Sequence, residues 1–385
     1  MTTKFVKPQS GFAFWPVGNG DSTTIFVSES VVIQIDLNHT EEAESEDSCR
    51  APIVDELADL LPQIDGKPYL SAFVLSHPDE DHCRGFAQLL ERVTIGELWV
   101  TPRVLREFKK ELSESAKAFK DEAERRVKET ICGRGEDAGN RVRIIGYDDL
   151  LQDEEYLGFP EERLTVPGNE LSEIDGESLD DEISVFIHSP FKEDSSGERN
   201  DTSLGIRVEL RNEATKLRGL FLGDLSYPVI SSIFCRSADE DLEFDVLLAP
   251  HHCSKSVMYH SSEDDRPPEL KAEIMEKIES LKGEGAFIIS SSEAIPDTNQ
   301  KGDNPPHAKA KVRYQERVEA KHFICTLEHA EEAGESIPIV VEGSLEGPHL
   351  RGGLPKGQKN SPLSKTLSAA AASTQSPPPH RVGFG

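Results

Sequence analysis

The segment AFVLSHPDEDHCRGF, residues 72–86, decides the fold, because an apolar run ends in a turn that is dense in metal-binding side chains. The run AFVLS predicts a buried strand. Two imidazoles and two carboxylates follow it, and alternate residues of a turn can point toward the same cation. These side chains belong to His77, Asp79, Asp81 and His82. The segment is therefore a candidate metal site at a strand end, although a solvated polar turn can have the same composition.

Two later segments repeat this arrangement. In LRGLFLGD, residues 217–224, Asp224 follows an apolar run and a glycine. In DVLLAPHHCSK, residues 245–255, His251 and His252 follow another apolar run. Each segment alone is also typical of an ordinary turn. Three clusters of metal-binding residues, each at the end of a predicted strand, favour one shared metal site over three coincidences.

The remainder of the chain alternates short apolar runs with turns and helical patterns, which is typical of an α/β protein. Residues 104–130 have a charge-rich, amphipathic pattern, which predicts a long helix that is inserted or peripheral and largely solvated. From Leu345 onward the composition turns to Gly, Pro, Ser, Ala and Lys, which predicts a disordered tail.

Composition and charge disfavour several classes of function. The chain has 385 residues, 42 Lys or Arg, 71 Asp or Glu and a net charge of −29, which disfavours loose adhesion to nucleic acid or anionic lipid. Residues 351–385, by contrast, carry five basic and no acidic side chains. No apolar stretch is long enough to span a bilayer, and the start lacks a signal-peptide pattern. The six scattered cysteines predict reduced thiols, so we expect a cytoplasmic protein without a membrane partner.

The order of these motifs resembles that of a known fold family. The segments HPDEDH, NDTSLGIRV, FLGD, DVLLAPHHCS and DNPPH resemble the metallo-β-lactamase fold, and most closely its ComEC-like branch, the hydrolase domain of competence DNA-uptake proteins. VGNGDSTTIFV and VVIQIDLN also resemble the first hairpin of that branch. The resemblance spans about residues 11–330 and is weak over residues 101–185.

The resemblance implies an architecture for the chain. It implies an α/β, four-layer αββα metallo-β-lactamase sandwich formed by residues 1–345. An inserted helical and acidic region is expected at about residues 101–185. A disordered, basic tail is expected at residues 346–385.

The resemblance also implies a site for two divalent metal ions. Asp224 would bridge the ions, and His252 is favoured over His251 as the ligand from the histidine pair. The implied ligands are His77, Asp79, Asp81, His82, Asp224 and His252.

Two positions depart from the common pattern of the family. Asp79 stands at the second histidine of the widespread HxHxDH motif, a change shared with the ComEC-like branch, and Asn200 falls where many relatives have a further ligand histidine. Oxygen donors replace nitrogen donors at both positions, which favours Mn²⁺ or Mg²⁺ relative to a histidine-rich zinc site, although metal availability can still select Zn²⁺. Cys83 and Cys253 stand where small residues are usual. For Cys253, a small, buried apolar group is favoured over a thiol next to the metal.

Two cations about 3.5–4 Å apart can hold a bridging water, lower its pKa and neutralise charge on the oxygens of an in-line displacement. Such a site suits a metal-dependent phosphodiester hydrolase that acts through a metal-bridging hydroxide. The resemblance to the DNA-uptake branch implies that this hydrolase is a nuclease acting on single-stranded DNA, RNA or nucleotides. The residues assigned to catalysis are Asp81, His251 and His307. The residues assigned to substrate binding are Asn200, Lys255 and Arg84.

Other functions stay open on the sequence alone. The first is hydrolysis of a small phosphodiester, because the same branch resembles bacterial phosphorylcholine esterases. The second is a metal-binding interaction subunit of a DNA-handling or defence complex, with little catalysis and a protein partner bound through residues 101–185 or the C-terminal tail. An acyl hydrolase ranks third, because a fold does not fix a function.

Overall fold

Strands with apolar residues on both faces need a cover on each side of their sheet. The computed structural model, which describes residues 5–107, 111–212, 215–261, 266–299 and 304–352, shows how the chain supplies these covers. Two large sheets pack face to face, and helices cover the outer face of each.

The strands fall into two large sheets and several short pairs. The first sheet contains β1 (Gly11–Phe14), β2 (Thr23–Phe26), β3 (Val32–Ile35), β5 (Gln63–Ile64), β6 (Lys67–Val74), β7 (Thr94–Val100), β8 (Arg141–Ile145), β9 (Leu164–Thr165), β21 (Ile339–Ser344) and β22 (Gly347–Leu350). The second contains β10 (Glu170–Leu171), β13 (Ile183–Ser189), β14 (Gly205–Arg211), β15 (Lys216–Phe221), β16 (Phe244–Leu248), β19 (Lys282–Ser290) and β20 (Phe323–Cys325). The remaining short strands are β4 (Leu37–Asn38), β11 (Glu173–Ile174), β12 (Glu177–Ser178), β17 (Tyr259–His260) and β18 (Glu269–Leu270).

The helices lie between these strands in the chain. They are α1 (Ile53–Leu60), α2 (Glu80–Cys83), α3 (Phe86–Arg92), α4 (Pro102–Arg106), α5 (Glu114–Ile131), α6 (Tyr227–Arg236), α7 (Asp239–Leu242), the single turn α8 (Pro250–Cys253), α9 (Ala272–Leu281), α10 (Ala308–Gln315) and α11 (Thr326–Ala333). Within the described ranges, none of them combines the length and the apolarity that crossing a membrane requires.

Each sheet joins an antiparallel part to a parallel part. In the first sheet, β1, β2 and β3 form an antiparallel meander, and β3, β6, β7, β8 and β9 then run parallel. In the second sheet, β13, β14 and β15 are antiparallel, and β15, β16, β19 and β20 run parallel. The parallel strands β15 and β16 end at the same edge of the second sheet. The turn after β6 in the first sheet meets this edge through the hydrogen bond from the Leu204 N–H to the Ser76 carbonyl.

Alternating side chains build three apolar clusters. In β7, Trp99 faces the cluster between the sheets, whereas Leu98 and Val100 face the helices outside the first sheet. In β16, Val246 faces the cluster between the sheets, whereas Leu247 faces the helices outside the second sheet. The predicted four-layer αββα sandwich is therefore confirmed.

The stretch of residues 101–185 is part of this sandwich. Its strands β8 and β9 extend the parallel part of the first sheet. Ser113 caps the N-terminus of its long helix α5, because the Ser113 side chain accepts a hydrogen bond from the Ala116 N–H at 3.2 Å. The inner face of α5 is buried and includes Phe119, Ala123 and Val127. The expectation of a peripheral, solvated helix was wrong, because apolar residues at a spacing of three to four positions pack on the first sheet.

The ordered region extends beyond the predicted boundary at residue 345. Strand β22 pairs antiparallel with β21, and β21 pairs with β1 in the first sheet. The described residues all belong to one unit, Met1–Gly353. The predicted tail was therefore placed to begin too early, and its remainder, residues 353–385, lies outside the described residues.

We predict that Phe119→Ala lowers the free energy of unfolding by about 3–5 kcal/mol, because it removes a fully buried ring. The ring of Phe119 lies 4.9 Å from that of Phe86 and 5.8 Å from that of Phe73, between centroids. Urea unfolding followed by circular dichroism measures the change. The exposed Lys128 of the same helix provides a control, because Lys128→Ala should change stability by less than about 0.5 kcal/mol. Equal effects of the two substitutions would show that α5 is peripheral.

A second prediction concerns His188, which is buried in β13, away in sequence from the turns after β6, β15 and β16 that carry the predicted ligands. Burial lowers its pKa to about 4, and its ring contacts the Ser237 hydroxyl at 2.8 Å. The unfolded chain therefore binds the extra proton between pH 6.5 and pH 4, so stability falls as the pH decreases through this window, by up to about 3 kcal/mol. His188→Gln should lose that part of the pH dependence in urea titrations. An unchanged pH dependence would contradict the prediction.

Candidate metal centre

Four segments that are far apart in the sequence place side chains at one point of the sandwich. His82 follows β6, Asp224 follows β15, His252 follows β16, and Asp21 lies in the loop between β1 and β2. One donor atom from each of these residues lies within 4.8 Å of the donor atoms of the other three, and all four residues are buried. The structure thus brings strand ends from both sheets to a common site.

Backbone hydrogen bonds hold these segments in place. The Leu204 N–H donates to the Ser76 carbonyl at 2.9 Å, which joins the turn after β6 to the start of β14. The His251 N–H donates to the Gly223 carbonyl at 2.9 Å, which joins the turns after β15 and β16. The site is therefore built on sheet edges that are fixed to one another.

Asp224 is at the centre of one group of donors. Its Oδ1 lies 3.4 Å from His82 Nε2, and its Oδ2 lies 3.4 Å from His252 Nε2. The two Nε2 atoms are 3.3 Å apart. Asp81 Oδ2 lies 3.4 Å from His252 Nε2 and completes this group.

A second group of donors also reaches Asp224. His77 Nε2 lies 3.7 Å from Asp79 Oδ2 and 3.9 Å from Asp224 Oδ2. Asp224 therefore touches both groups, as its predicted bridging position requires. The six predicted ligands all lie in this cluster.

The donor set fits a divalent cation. Within the described part of the chain, the buried atoms His77 Nε2, Asp224 Oδ1 and Asp21 Oδ1 make no hydrogen bond. Buried polar atoms normally have a partner, and several unpartnered ones that face each other indicate a ligand. Imidazole nitrogens and carboxylate oxygens are donors for Zn²⁺ and Mn²⁺.

Two histidines of the cluster are oriented by partners behind them. The Ser76 hydroxyl donates to Asp36 Oδ2 at 2.6 Å, so His77 Nδ1, 3.1 Å away, must donate to the same hydroxyl oxygen. His82 Nδ1 lies 2.8 Å from Asp36 Oδ2. Both rings therefore carry their proton on Nδ1 toward the protein and turn Nε2 toward the site, as in other metal sites supported by a carboxylate.

His252 has an equivalent support. Its Nδ1 lies 3.1 Å from the Ser291 carbonyl, which accepts the ring N–H. The same Nδ1 lies 3.5 Å from Asp21 Oδ1. Gly20, next to Asp21, adopts φ +137°, and a Cβ there would lie 2.5 Å from the Asp81 carbonyl oxygen. Only glycine allows this loop to approach the turn after β6 so closely.

Unusual backbone conformations occur at the site. His251, His252 and Cys253 are consecutive residues with φ between 49° and 63°. Asp36 has φ 54°. Residues other than glycine rarely adopt these backbone angles, and such backbone strain is concentrated at functional sites. The left-handed turn directs both imidazoles of the pair toward Asp224, and His251 Nε2 lies 3.6 Å from Asp224 Oδ2.

The charges of the cluster balance one another. Burial by itself would lower the pKa of His82 and His252. The nearby carboxylates, above all Asp224, outweigh this effect, so the pKa of both imidazoles lies well above its ordinary value. Burial likewise acts to raise the pKa of Asp224 and Asp81, but the imidazoles lower both below the ordinary value. A cation that binds Nε2 of these histidines must displace protons, so its affinity falls in acid.

His307 and Lys255 lie beside the loop that follows His252. The Lys255 N–H donates to His307 Nδ1 at 3.1 Å, and the His307 N–H donates to the Cys253 carbonyl at 3.1 Å. His307 therefore supports this loop. The proton-transfer role of His307 and the substrate contact of Lys255 stay predictions.

Asn200 and Arg84 have different surroundings from the cluster's imidazoles. Asn200 begins the 3₁₀ turn Asn200–Thr202, and the side chain that reaches the cluster from this segment is that of Arg199. Arg84 donates to Asn38 Oδ1 at 3.2 Å and borders a cavity of about 710 Å³ that also includes Arg50. Their roles in substrate binding stay predictions.

Cys83 and Cys253 are both buried. The Cys83 thiol donates to the Asp79 carbonyl at 3.2 Å. Burial raises the pKa of both thiols, so both stay protonated at neutral pH. Cys253 is therefore a small buried group, as predicted, and Cys83 is buried in the same way.

The sequence prediction missed several residues of the site. Asp21 and Asp36 lie in the segments VGNGDSTTIFV and VVIQIDLN, and the sequence prediction does not assign them to the site. The available signal was a carboxylate directly after an apolar run, as in VVIQID. Ser76, Ser291 and Arg199 act through hydrogen bonds to residues that are distant in the sequence, and no spacing in the sequence marks them.

Comparison with known proteins gives low similarity throughout. The chain matches no protein family and no curated protein. Among solved structures, it is similar to a subclass B3 metallo-β-lactamase from a soil metagenome library, with 12% identity over 63% of this chain and 77% of that chain and a TM-score of 0.32. A diphosphatase of the PhnP family has 9% identity over 82% and 94%, with a TM-score of 0.33. CmlA, a diiron β-hydroxylase from Streptomyces venezuelae, has 14% identity over 74% and 46%, with a TM-score of 0.35.

We predict that Asp36→Asn weakens metal binding by roughly 10- to 100-fold, because the amide removes the carboxylate that orients His82. Isothermal titration calorimetry with Zn²⁺ and Mn²⁺ measures the affinity. Glu44→Gln is a matched control, because Glu44 also accepts from a histidine, His39, at 2.7 Å but lies away from the cluster. Equal affinities of the wild type and Asp36→Asn would contradict the assignment.

Proposed function

We propose that the protein is a metal-dependent hydrolase that cleaves phosphodiesters. The observation that carries the proposal is the buried cluster around Asp224, where imidazoles held by hydrogen bonds turn Nε2 toward carboxylates from other strand ends. The order of the sequence motifs, which resembles the ComEC-like branch of the metallo-β-lactamase fold, supports the same function.

Divalent ions bound here would supply positive charge for the oxygens of a diester and would lower the pKa of a water molecule. In hydrolysis, the water oxygen forms a bond to phosphorus, and the bond from phosphorus to the leaving oxygen breaks. The water loses one proton and the leaving oxygen gains one. The protein must therefore hold the ions and provide a group that moves a proton.

His251 is suited to move that proton. Its Nδ1 lies 3.4 Å from the Ser256 hydroxyl oxygen, and that hydroxyl donates to Ser254 at 2.9 Å, so the imidazole donates from Nδ1. Nε2 is then free to accept a proton beside Asp224. About a quarter of the His251 side chain is exposed, whereas His82 and His252 are almost fully buried. His251 is therefore the imidazole of the cluster that a substrate can reach.

We propose single-stranded nucleic acid or a nucleotide as the substrate. The net charge of −29 repels a polyanion that lies broadly on the surface. A single strand needs only a local contact at the metal centre, and Arg199, Lys255 and Arg84 are cationic groups in the segments around it. A small phosphodiester is the second candidate, because it meets less of the acidic surface.

We predict that Asp224→Asn lowers phosphodiesterase activity by roughly 1,000-fold or more, because several kcal/mol of charge stabilisation by bound ions is lost. Hydrolysis of bis-p-nitrophenyl phosphate, single-stranded DNA and double-stranded DNA with Mn²⁺ measures the activity. Asp55→Asn is the control, because Asp55 is a surface carboxylate paired with Arg92.

Salt dependence separates the two substrate classes. Cleavage of a polymer should weaken steeply with added salt, because binding releases counterions, whereas cleavage of a small diester should not. If the wild type binds metal but behaves like Asp224→Asn on every diester, the catalytic proposal is wrong. A metal-binding interaction subunit would then be favoured.

A further inference from the structure

The two groups of donors around Asp224 are unequal. Asp81, His82 and His252 supply two imidazoles and a carboxylate on one side. His77 and Asp79 supply one imidazole and one carboxylate on the other side. The second side therefore offers fewer of the predicted ligands to an ion, and His251, whose Nε2 lies 3.6 Å from Asp224 Oδ2, is assigned to proton transfer rather than to metal binding.

A guanidinium lies on this poorer side. Arg199 Nη1 is 3.2 Å from Asp79 Oδ1, whereas the other oxygen of Asp79 faces His77. Arg199 Nη2 donates to the Glu111 carbonyl at 2.6 Å and lies 3.4 Å from Glu107 Oε1. About a quarter of the Arg199 side chain remains exposed. The guanidinium is thus fixed beside the cluster and still accessible from solvent.

The partners of Arg199 are themselves fixed. Glu107 is almost fully buried and accepts a second hydrogen bond, at 2.6 Å, from Arg103 Nε. Arg103 Nη1 donates to the Ser195 carbonyl at 2.8 Å, in the same segment that carries Arg199. A chain of hydrogen bonds therefore joins α4, Glu107 and the loop before β14 around Arg199.

A guanidinium has two effects at this position. It has no lone pair, so it cannot bind a metal ion, and its positive charge opposes an ion held by Asp79. The same group binds phosphate oxygens strongly, often through two parallel hydrogen bonds. The segment that begins the 3₁₀ turn Asn200–Thr202 therefore brings the positive charge of Arg199 to Asp79.

We infer that Arg199 supplies the positive charge that a second tightly bound ion supplies in a symmetric two-metal site. The chain then binds one ion tightly between Asp81, His82, Asp224 and His252, and a second ion only weakly at His77 and Asp79. Arg199 contacts a phosphate oxygen of the substrate. This inference rests on the proposed phosphodiester chemistry for the substrate contact, but its metal stoichiometry does not depend on activity.

The test is a metal titration of the full chain after removal of metal with a chelator. Calorimetry and the paramagnetic signal of free Mn²⁺ count the bound ions in the wild type, Arg199→Gln and Arg199→Lys. Arg92→Gln is the control, because it removes one exposed guanidinium that pairs with Asp55 rather than with a residue of the cluster. Circular dichroism verifies that each variant is folded.

We expect the wild type to bind one ion tightly and a second at least roughly tenfold more weakly. Arg199→Gln should bind the second ion roughly tenfold more tightly than the wild type, whereas Arg199→Lys and Arg92→Gln should not. With diester substrates at a Mn²⁺ concentration that fills only the tight site, Arg199→Gln should raise KM and lower kcat, and Arg199→Lys should restore part of the loss.

Two equal sites in the wild type would overturn the inference, as would weaker or unchanged binding of the second ion in Arg199→Gln. Failure of the proposed function looks different, because the expected ion counts would then appear without hydrolysis of any diester. If Arg199→Gln does not fold, the wild-type titration and Arg199→Lys still decide between one tight site and two.

Discussion

A buried carboxylate is unfavourable unless positive charge or hydrogen-bond donors surround it, and Asp224 is buried at the junction of the two sheets. The groups around it are imidazoles, and they come from the turns after β6 and β16 rather than from its own strand. Asp224 is thus compensated only when the edges of both sheets are correctly aligned. The same alignment places the donors for a divalent ion, so the fold and the site depend on one electrostatic requirement.

The surrounding structure serves this requirement in two ways. The rings donate hydrogen bonds to the Ser76 hydroxyl, the Asp36 carboxylate and the Ser291 carbonyl, which fix each ring with its Nε2 toward the cluster. Left-handed backbone at Asp36 and across residues 251–253 turns side chains toward the site at a cost of about 1–3 kcal/mol for each residue. The buried clusters between and outside the sheets stabilise the domain enough to maintain this strain.

The predicted ligands could be read from the sequence because their chemical types are dense directly after apolar strands, as in SHPDEDH. The supporting residues could not, because a serine or an aspartate in a turn looks ordinary until its partner is known. Asp36 acts on His82, which is 46 positions away. Arg199 acts on Asp79 across 120 positions. The prediction for helix α5 was wrong for a related reason, because its many charged residues outnumber the apolar residues of the buried face that includes Phe119. Strand β22 was not predicted, because it lies in a Gly- and Pro-rich segment and its pairing with β21 has no marker in the sequence.

Anomalous X-ray diffraction from crystals grown with Zn²⁺, recorded at the zinc absorption edge, would locate a bound ion. We expect a strong peak at about 2 Å from His82 Nε2, His252 Nε2 and an oxygen of Asp224. Zinc found only on exposed carboxylates, such as those of residues 41–47, with no peak between His82 and His252, would contradict this expectation.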